Sequence, residues 1–440
     1  MKRFVIALAI LAGMAAAPDA RAEIGTADAV PAATLLLPYF EVDLGDPNGV
    51  TTLLSVNNAS ASAAVANVVL WTDWGVPSFG FNVYLTGYDV QTINLRDIFN
   101  GTLPVTADDG VDFADTFPPD TGISNQGILS QDINFPGSTG PCGSTSTLYN
   151  APDPTLAIKV QNIQQVHRGL GSPLNGLCWG ANHGDAIARG YVTIDTVATC
   201  TLSTPANAGY FGGLVDYRNI LWGDSIVVNP AQNFAQGETL VHVEACVPGN
   251  GFNGYVGDGA GRCPLVPGDY SFYARYVAAT ASDQREPLAT TFAARYQGAS
   301  KTDLLVWRDT KLAPSGTNGA RSCGVPPAWF PLGQTVVGGF DNQENVAELC
   351  TGGDTCFPLA TQRVNVKDGN PLADPIKPPF TAGWLFLNLN HTVSGDLLPG
   401  VGQAWVSVAR SSEGRFSTGY QAVQLDTALD TLPGGYTVFP

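Results

Sequence analysis

Charged side chains are scarce in this sequence of 440 residues, since Asp, Glu, Lys and Arg together make up 13% of it. In soluble proteins roughly 25% is usual. The 38 acidic residues outnumber the 21 basic ones, which gives a formal net charge of −17. A field of this sign repels nucleic acids and anionic lipid headgroups. We therefore expect no nucleic-acid partner. Because charged residues are few, we also expect a surface composed mainly of uncharged polar residues.

Histidine and methionine are also rare, with four histidines in the chain and methionine only at Met1 and Met14. Few histidines limit the designs open to acid–base catalysis and transition-metal binding. The chain has no Gly-x-Ser-x-Gly elbow, no glycine-rich phosphate loop and no repeat of fixed period, so neither a nucleotide site nor a solenoid is indicated. After residue 22 no apolar run approaches the roughly 20 residues of a membrane-spanning helix. We expect no transmembrane segment in the mature chain.

The first residues have the pattern of a secretory signal peptide. Lys2 and Arg3 precede an apolar run over residues 4–17, and residues 20–22 read Ala-Arg-Ala, the small-x-small pattern that a signal peptidase accepts. The sequence therefore predicts that residues 1–22 are removed near Ala22. It places the mature protein outside the cytoplasm: in the periplasm, on the outer surface or in the medium.

All eight cysteines lie beyond that cleavage point, and an even number of cysteines in an exported chain is typical of disulfides. Two short closures are natural, Cys246 with Cys263 and Cys350 with Cys356. The remaining four cysteines can pair in several ways, one of which is Cys142 with Cys178 and Cys200 with Cys323. The predicted role of the bridges is to hold long loops.

Fifty glycines and 31 prolines are spread between short apolar runs rich in aromatic and β-branched residues. Such runs, bounded by turn residues, predict an all-β fold, mainly antiparallel β-sandwich, with two or three packed units. The predicted strands cover residues 51–57, 65–71, 81–85, 90–95, 190–194, 225–228, 239–246, 270–277, 290–296, 304–307, 384–389, 404–408 and 416–425.

One segment has helical rather than strand periodicity, so we expect one or two short helices in the fold. Asp153 and Pro154 can begin a helix, and apolar residues recur from Leu156 to Val166 at helical spacing. Gly169 can end it. The prediction is a helix near residues 154–168.

Composition divides the mature chain into four stretches. An irregular, acidic segment rich in Gly, Pro and Ser, residues 101–152, separates the first apolar block from the others. The predicted organisation is a first sandwich unit over 23–100, a second β-rich unit over 153–310 and a third over 311–440. The third unit is expected to pack with the first or the second.

Five strings of residues resemble those of a group of secreted, β-rich bacterial proteins of unknown function. The strings are residues 71–75, 188–191, 221–224, 285–291 and 384–388. The resemblance covers most of the mature chain and implies a bacterial, exported, β-rich protein. It implies no activity, cofactor or catalytic residue.

Calcium is the cofactor that the acidic turns favour, because hard oxygen ligands on flexible loops suit Ca²⁺. Two candidate sites place several such oxygens at short spacing. Their residues are Asp43, Asp46 and Asn48 in the first, and Asp108, Asp109 and Asp112 in the second. Neither matches the EF-hand loop, and ordinary solvated turns are the alternative reading.

Other side chains can be interpreted either as structural or as functional residues. His183 lies in a polar loop, where it can be an exposed ligand or catalytic residue oriented by Asp185, or part of a simple turn. Trp71 and Trp74 can form an aromatic platform for sugar rings. Residues three apart on a strand face opposite sides, so one of the two is expected in the core.

The leading hypothesis is a non-enzymatic extracytoplasmic β protein, acting by surface interaction or as a structural component of the cell exterior. Its partner would be an extracellular or cell-surface protein or a polysaccharide. The alternative is a secreted carbohydrate-active hydrolase or lyase that uses paired carboxylates, with calcium in a structural role. A ligand-binding protein with a pocket between sandwiches is a third possibility.

Overall fold

Short β-branched and aromatic runs, separated by Gly, Pro and Asn, form antiparallel strands in the computed structural model of the protein. The structure describes residues 30–85, 87–104, 156–199, 201, 203–207, 209–245, 271–276, 283–297, 301–311, 321–350, 355–367, 376–392, 402–412 and 416–425. Within these residues, 18 strands form four sheets, here named sheets I to IV.

Sheets I and II form the first sandwich. In spatial order, the strands of sheet I are β5 (Val90–Asn94), β2 (Thr51–Asn58), β7 (Leu221–Asn229) and β8 (Phe234–Thr239). Those of sheet II are β4 (Pro77–Leu85), β3 (Ala64–Trp71), β6 (Ile187–Val197), β1 (Thr34–Asp43) and β9 (Val241–Val243). Strands from before and after the acidic segment are thus neighbours in the same two sheets.

Sheets III and IV form the second sandwich. The strands of sheet III are β14 (Thr361–Asn365), β11 (Lys301–Arg308), β16 (Ala404–Ser412) and β17 (Phe416–Gln421). Those of sheet IV are β13 (Val346–Leu349), β12 (Val336–Phe340), β15 (Ala382–Asn388), β10 (Thr291–Gln297) and β18 (Val423–Gln424). Every strand pairing in this sandwich is antiparallel.

Three hydrophobic clusters stack the sheets in the order I, II, III, IV. The first cluster joins sheets I and II, and the third joins sheets III and IV. Between them, sheets II and III meet through a cluster rich in aromatic rings, which includes Trp71, Tyr191, Trp307 and Trp405. Within the described residues, sheets II and III are therefore covered on both faces, whereas sheets I and IV each contribute one face to these clusters. Strand β8 of sheet I also contacts β17 of sheet III, where the Ser417 hydroxyl donates to the Ala235 carbonyl.

Strand β1 is buried on both faces, because Leu35 packs into the first cluster and Leu36 into the second. A strand of this kind is a continuous apolar run with no alternation to reveal it. Pro38 has no N–H to offer the sheet, and the register with β6 shifts between Leu37 and Phe40. The Thr361 hydroxyl, from sheet III, donates to the Pro38 carbonyl at 2.5 Å.

Two short α-helices border the first sandwich. Helix α1 (Leu95–Phe99) begins after Asn94, whose side chain accepts a hydrogen bond from the Arg96 amide. Helix α2 (Leu156–Val166) confirms the predicted helix. Gly169 follows at φ 68°, and a methyl group on it would lie 2.2 Å from the backbone of Ala181, so this position requires glycine.

The all-β fold with few helices is confirmed, and most predicted strands overlap observed ones. The strand predicted over 270–277 is wrong, since the described residues 271–276 form a turn. Phe272 and Tyr273 in this turn are buried in the aromatic cluster, so their composition reflects core packing rather than strand pairing. Within the described part of the chain, no helix has both the length and the apolar character to span a bilayer.

The predicted units do not coincide with the sheets. The sheets of the first sandwich draw strands from both 23–100 and 153–310. Strands β10 and β11, predicted to belong to the second unit, pair instead with β15, β14 and β16 of the third. Composition divided the chain into consecutive segments, whereas pairing between distant strands placed strands from different segments in the same sheet.

Candidate functional site

The outer face of sheet IV carries a group of exposed apolar and aromatic side chains. Leu385 and Leu387 of β15 point inward to the core, so Trp384 and Phe386 point outward. Trp384 is 41% exposed, and Phe386 is half-buried. We call this surface the outer platform and define it by Arg295, Phe340, Val346, Trp384, Phe386 and Val423.

One cross-strand row contains four members of the outer platform. Val346 lies opposite Phe340, Phe340 opposite Trp384, and Trp384 opposite Arg295. Neighbouring strands lie about 4.8 Å apart, so the row extends about 14 Å across the sheet. Two aromatic residues thus stand side by side between a valine and a cation.

The next row has small residues on both sides of its aromatic ring. Phe386 lies between Gly338 and Ala293, with Glu348 and Val423 at the two ends of the row. A methyl group on Gly338 would lie 3.5 Å from the ring of Phe340, so that ring leans over the glycine. The Phe340 ring therefore fills part of the space beside Phe386, which is half-buried.

Arg295 is held against Trp384. Its guanidinium carbon lies 5.9 Å from the centroid of the Trp384 ring, within the range of a cation–π contact. The Tyr420 hydroxyl donates to the Arg295 carbonyl at 2.6 Å, and burial raises the pKa of Tyr420. Arg295 is thus an exposed residue whose backbone carbonyl is bonded by Tyr420 and whose guanidinium lies over the Trp384 ring.

The turn from β12 to β13 is organised by Asp341, which accepts hydrogen bonds from the amides of Gln343 and Asn345 at 2.8 and 2.9 Å. The Asn345 side chain donates to the same carboxylate, and these bonds lower the pKa of Asp341. The turn places Val346, which is 65% exposed, at the edge of the outer platform.

The predicted aromatic platform at Trp71 and Trp74 is absent from the surface, because Trp71 is 0% and Trp74 5% exposed. Trp71 stacks on Tyr191, and its indole N–H donates to Thr193 at 2.8 Å. Both tryptophans belong to the core between sheets II and III. Trp71 ends β3 and Trp74 lies in the turn before β4, so strand alternation does not separate their directions and both side chains enter this core.

His183 is oriented by Asp73 rather than by Asp185. His183 Nε2 lies 2.8 Å from Asp73 Oδ2, while Asp185 makes a two-bond ion pair with Arg189. This hydrogen bonding lowers the pKa of Asp185. The partner of His183 is 110 residues away in the sequence, so neighbouring residues did not indicate it.

The first calcium candidate forms a tight loop around an arginine. Asp43 accepts from the amides of Gly45 and Asp46, and Asp46 accepts from the amide of Asn48 at 2.9 Å. The Arg96 guanidinium donates to four carbonyl oxygens of this loop, those of residues 43, 46, 49 and 50. The cation that this loop holds is thus the Arg96 guanidinium of the same chain.

Calcium binding stays a prediction at both candidates. Asp108, Asp109 and Asp112 lie outside the described residues. Within the described residues, no group of three or more His, Cys, Asp or Glu side chains is placed to hold a metal ion.

Two disulfides lie in the described part of the chain. Cys350 pairs with Cys356, as the sequence predicts. Cys178 pairs with Cys323, across 145 residues, which corrects the suggested pairings of Cys178 with Cys142 and of Cys323 with Cys200. The backbones of Cys178 and Arg321 also exchange hydrogen bonds, so this bridge links the two sandwiches. Four cysteines lie outside the described residues, namely Cys142, Cys200, Cys246 and Cys263.

A buried arginine joins the core of sheet II to the loop before sheet IV. Arg285 is 0% exposed and forms ion pairs with Asp195 and Asp283, each at 3.3 Å. The hydroxyls of Tyr210 and Tyr273 donate to Asp195 at 2.7 and 3.0 Å. Burial lowers the pKa of Arg285, whereas the carboxylates of Asp195 and Asp283 raise it. The net shift is upward, so the guanidinium stays charged.

A second buried arginine lies at the end of β11. Arg308 donates to the carbonyls of Phe357 and Leu389, and to His391 Nδ1 at 3.1 Å. His391 Nε2 lies 2.9 Å from Asp309 Oδ1, so its N–H donates to that carboxylate. Burial lowers the pKa of His391 to about 4 and that of Arg308 to about 9.

His167 ties helix α2 to the edge of sheet II. Its Nδ1 lies 2.8 Å from the Arg189 carbonyl and its Nε2 2.6 Å from Ser78 Oγ. The carbonyl can only accept, so Nδ1 carries the proton, and the Ser78 hydroxyl has both Nε2 and the Leu70 carbonyl within hydrogen-bond distance. Burial lowers the pKa of His167 to about 4, which keeps the ring neutral.

No family model matches the chain, and no curated protein is significantly similar to it. The candidate site therefore rests on geometry. The string 384–388 gave a partial signal, since its first four residues alternate aromatic and aliphatic side chains. These four side chains are all apolar, so the pattern did not show which alternate set faces solvent.

Proposed function

We propose that this chain is an exported, non-catalytic interaction protein whose contact surface is the outer platform of sheet IV. One observation carries the proposal: Trp384 is 41% exposed beside Phe340 and Arg295 on the outer face of sheet IV. Exposed apolar groups rimmed by polar residues are typical of binding surfaces. Tryptophan and arginine are the residues most often dominant in such contacts.

Export is part of the proposal and is supported by two features. The first residues have the signal-peptide pattern, and the disulfides of Cys178 with Cys323 and of Cys350 with Cys356 suit an oxidising compartment. Production of the full chain in a bacterial host should yield a periplasmic or external form that begins after Ala22. Intact protein in the cytosol with reduced cysteines would contradict export.

The contact surface is tested with isolated bacterial cell envelopes. Purified mature protein is mixed with washed envelopes, and the retained fraction is measured by sedimentation. We expect Trp384→Ala and Phe340→Ala each to lower retention. Ile226→Ala is the matched control, because Ile226 is 45% exposed on the outer face of sheet I, the opposite end of the stack. Equal retention of all variants would refute the assignment of the surface.

A secreted hydrolase is the second candidate, favoured by the Ser78 and His167 contact. A histidine oriented by a carbonyl and bonded to a serine is an arrangement that can activate a nucleophile. A fluorophosphonate probe tests it directly. Under the leading proposal Ser78 stays unlabelled, and no sugar or ester product is released from glycan and ester substrates. Labelling that is lost in Ser78→Ala would favour the hydrolase.

A further inference from the structure

We infer that the disulfide of Cys178 with Cys323 is a thiol-exchange site, at which a small thiol attacks Cys323 and Cys178 is the leaving sulfur. Three features support this assignment: the unequal exposure of the two cysteines, the surroundings of the sulfurs, and the backbone hydrogen bonds that remain when the bridge opens. The bridge links the two sandwiches, so exchange at its exposed half opens that link in response to thiols.

The two cysteines differ in exposure. Cys178 is 1% exposed and belongs to the aromatic cluster between sheets II and III. Cys323 is exposed, as are its neighbours over residues 322–326. The rate of thiol–disulfide exchange depends on which sulfur the attacking thiolate can reach. Cys323 is therefore the sulfur that a thiol in solution attacks.

The exchange balances without an oxidant. The thiolate forms a new sulfur–sulfur bond to Cys323 as the bond between Cys323 and Cys178 breaks. The electron pair of the broken bond passes to Cys178, which takes up a proton from solvent. Cys178 Sγ lies 3.1 Å from the Gly169 carbonyl oxygen. A carbonyl accepts a hydrogen bond from a thiol but repels a thiolate, so the released Cys178 is stabilised in its protonated form.

The segments around the bridge favour the approach of a thiolate. Residues 169–178 and 321–327 contain no Asp or Glu, although the chain as a whole has a net charge of −17. Arg321 is the single charged residue in these two segments. Because like charges repel, a carboxylate beside Cys323 would disfavour an attacking thiolate. The charge of the two segments therefore has the sign that suits this reagent.

Two backbone hydrogen bonds hold the segments together independently of the sulfurs. The Cys178 amide donates to the Arg321 carbonyl at 2.8 Å, and the Arg321 amide donates to the Cys178 carbonyl at 2.9 Å. After exchange, these bonds keep Cys178 near Cys323, so the released thiol can later expel the small thiol and close the bridge again. The exchange is therefore reversible in the folded protein.

Two variants, each with one of these cysteines, compare the sulfurs directly. Cys178→Ala leaves the thiol of Cys323, and Cys323→Ala leaves that of Cys178. Each native protein is incubated with glutathione disulfide, and the rate of adduct formation is followed by mass spectrometry. We expect Cys323 to react about a hundredfold faster than Cys178, because burial protects a thiol unless the structure opens. Urea should remove the difference. Equal rates in the two native proteins would overturn the inference.

The wild type provides a second test that does not depend on the folding of either variant. Mature protein is incubated with reduced glutathione in the absence of denaturant, quenched in acid and mapped as non-reduced peptides. We expect glutathione on Cys323 and a free thiol at Cys178. The disulfide of Cys350 with Cys356 is the internal control and should open about tenfold more slowly, since Cys356 is 0% exposed and Cys350 is half-buried. Glutathione on Cys178, equally fast opening of both bridges, or opening of the bridge only in urea would contradict the assignment.

Discussion

Protonation of His391 should make the protein less stable in mild acid. His391 is 1% exposed, its Nε2–H donates to Asp309, and its Nδ1 accepts from Arg308. In the neutral ring, both nitrogens thus take part in hydrogen bonds. Adding a proton at Nδ1 would remove an acceptor and place a second cation against Arg308 in the interior.

The size of the effect follows from the pKa. Burial lowers the pKa of His391 from 6.5 to about 4, while the unfolded chain keeps the ordinary value. Between these pH values the unfolded state binds more protons, so stability is full above pH 6.5 and falls as the pH decreases towards 4. At about 1.4 kcal/mol per pH unit, the loss in free energy of unfolding amounts to about 3 kcal/mol.

Urea denaturation at pH 7 and pH 4.5, followed by tryptophan fluorescence with disulfides intact, measures this loss. His391→Gln is the matched variant, because an amide can donate to Asp309 and accept from Arg308 but does not titrate. We expect the wild type to lose about 2.5 kcal/mol more than the variant between the two pH values. His167 is present in both proteins, so its own contribution cancels. An equal loss in the two proteins would refute the reasoning.

Three further perturbations have clear expected outcomes. Cys178→Ser with Cys323→Ser should lower the free energy of unfolding by about 4 kcal/mol, since the bridge closes a loop of 145 residues; an unchanged thermal midpoint would contradict this. Arg363→Met should cost about 2 kcal/mol in urea denaturation, because its guanidinium bridges carboxylates of sheets II and III but is partly solvated. Gly190→Ala would place a methyl group 2.1 Å from a backbone carbonyl of β3, whereas Gly213 has open space around it. Circular dichroism should therefore show misfolding or strong destabilisation for Gly190→Ala and little change for Gly213→Ala.

The sequence predicted elements well where one local signal was sufficient. Helix α2 has apolar residues at helical spacing and a glycine stop, and β2 alternates between core and solvent. Cys350 and Cys356 are close enough along the chain for proximity to indicate their pairing. Strand β1 was missed because both of its faces are covered, which removes the alternation.

The candidate site depended on contacts between distant residues. Trp71 and Trp384 are both aromatic residues on strands, yet Trp71 lies in the core between two sheets and Trp384 is exposed on the outer face of sheet IV. A period of two residues shows which side chains share a face, but not whether another sheet covers that face. The partner of His183 was equally hidden, since Asp73 is far from it in the sequence.

By itself, the sequence determined the mainly antiparallel all-β fold class, the position of helix α2 and the acidic, charge-poor character of the chain. These properties depend on residue type and on neighbours within a few positions, where periodicity and turn chemistry act directly. The tertiary structure alone decided which sheets became inner layers, which cysteine joined Cys178 and which aromatic residues remained at the surface. Those outcomes depend on how the four sheets stack, and stacking brings together side chains that no local pattern relates.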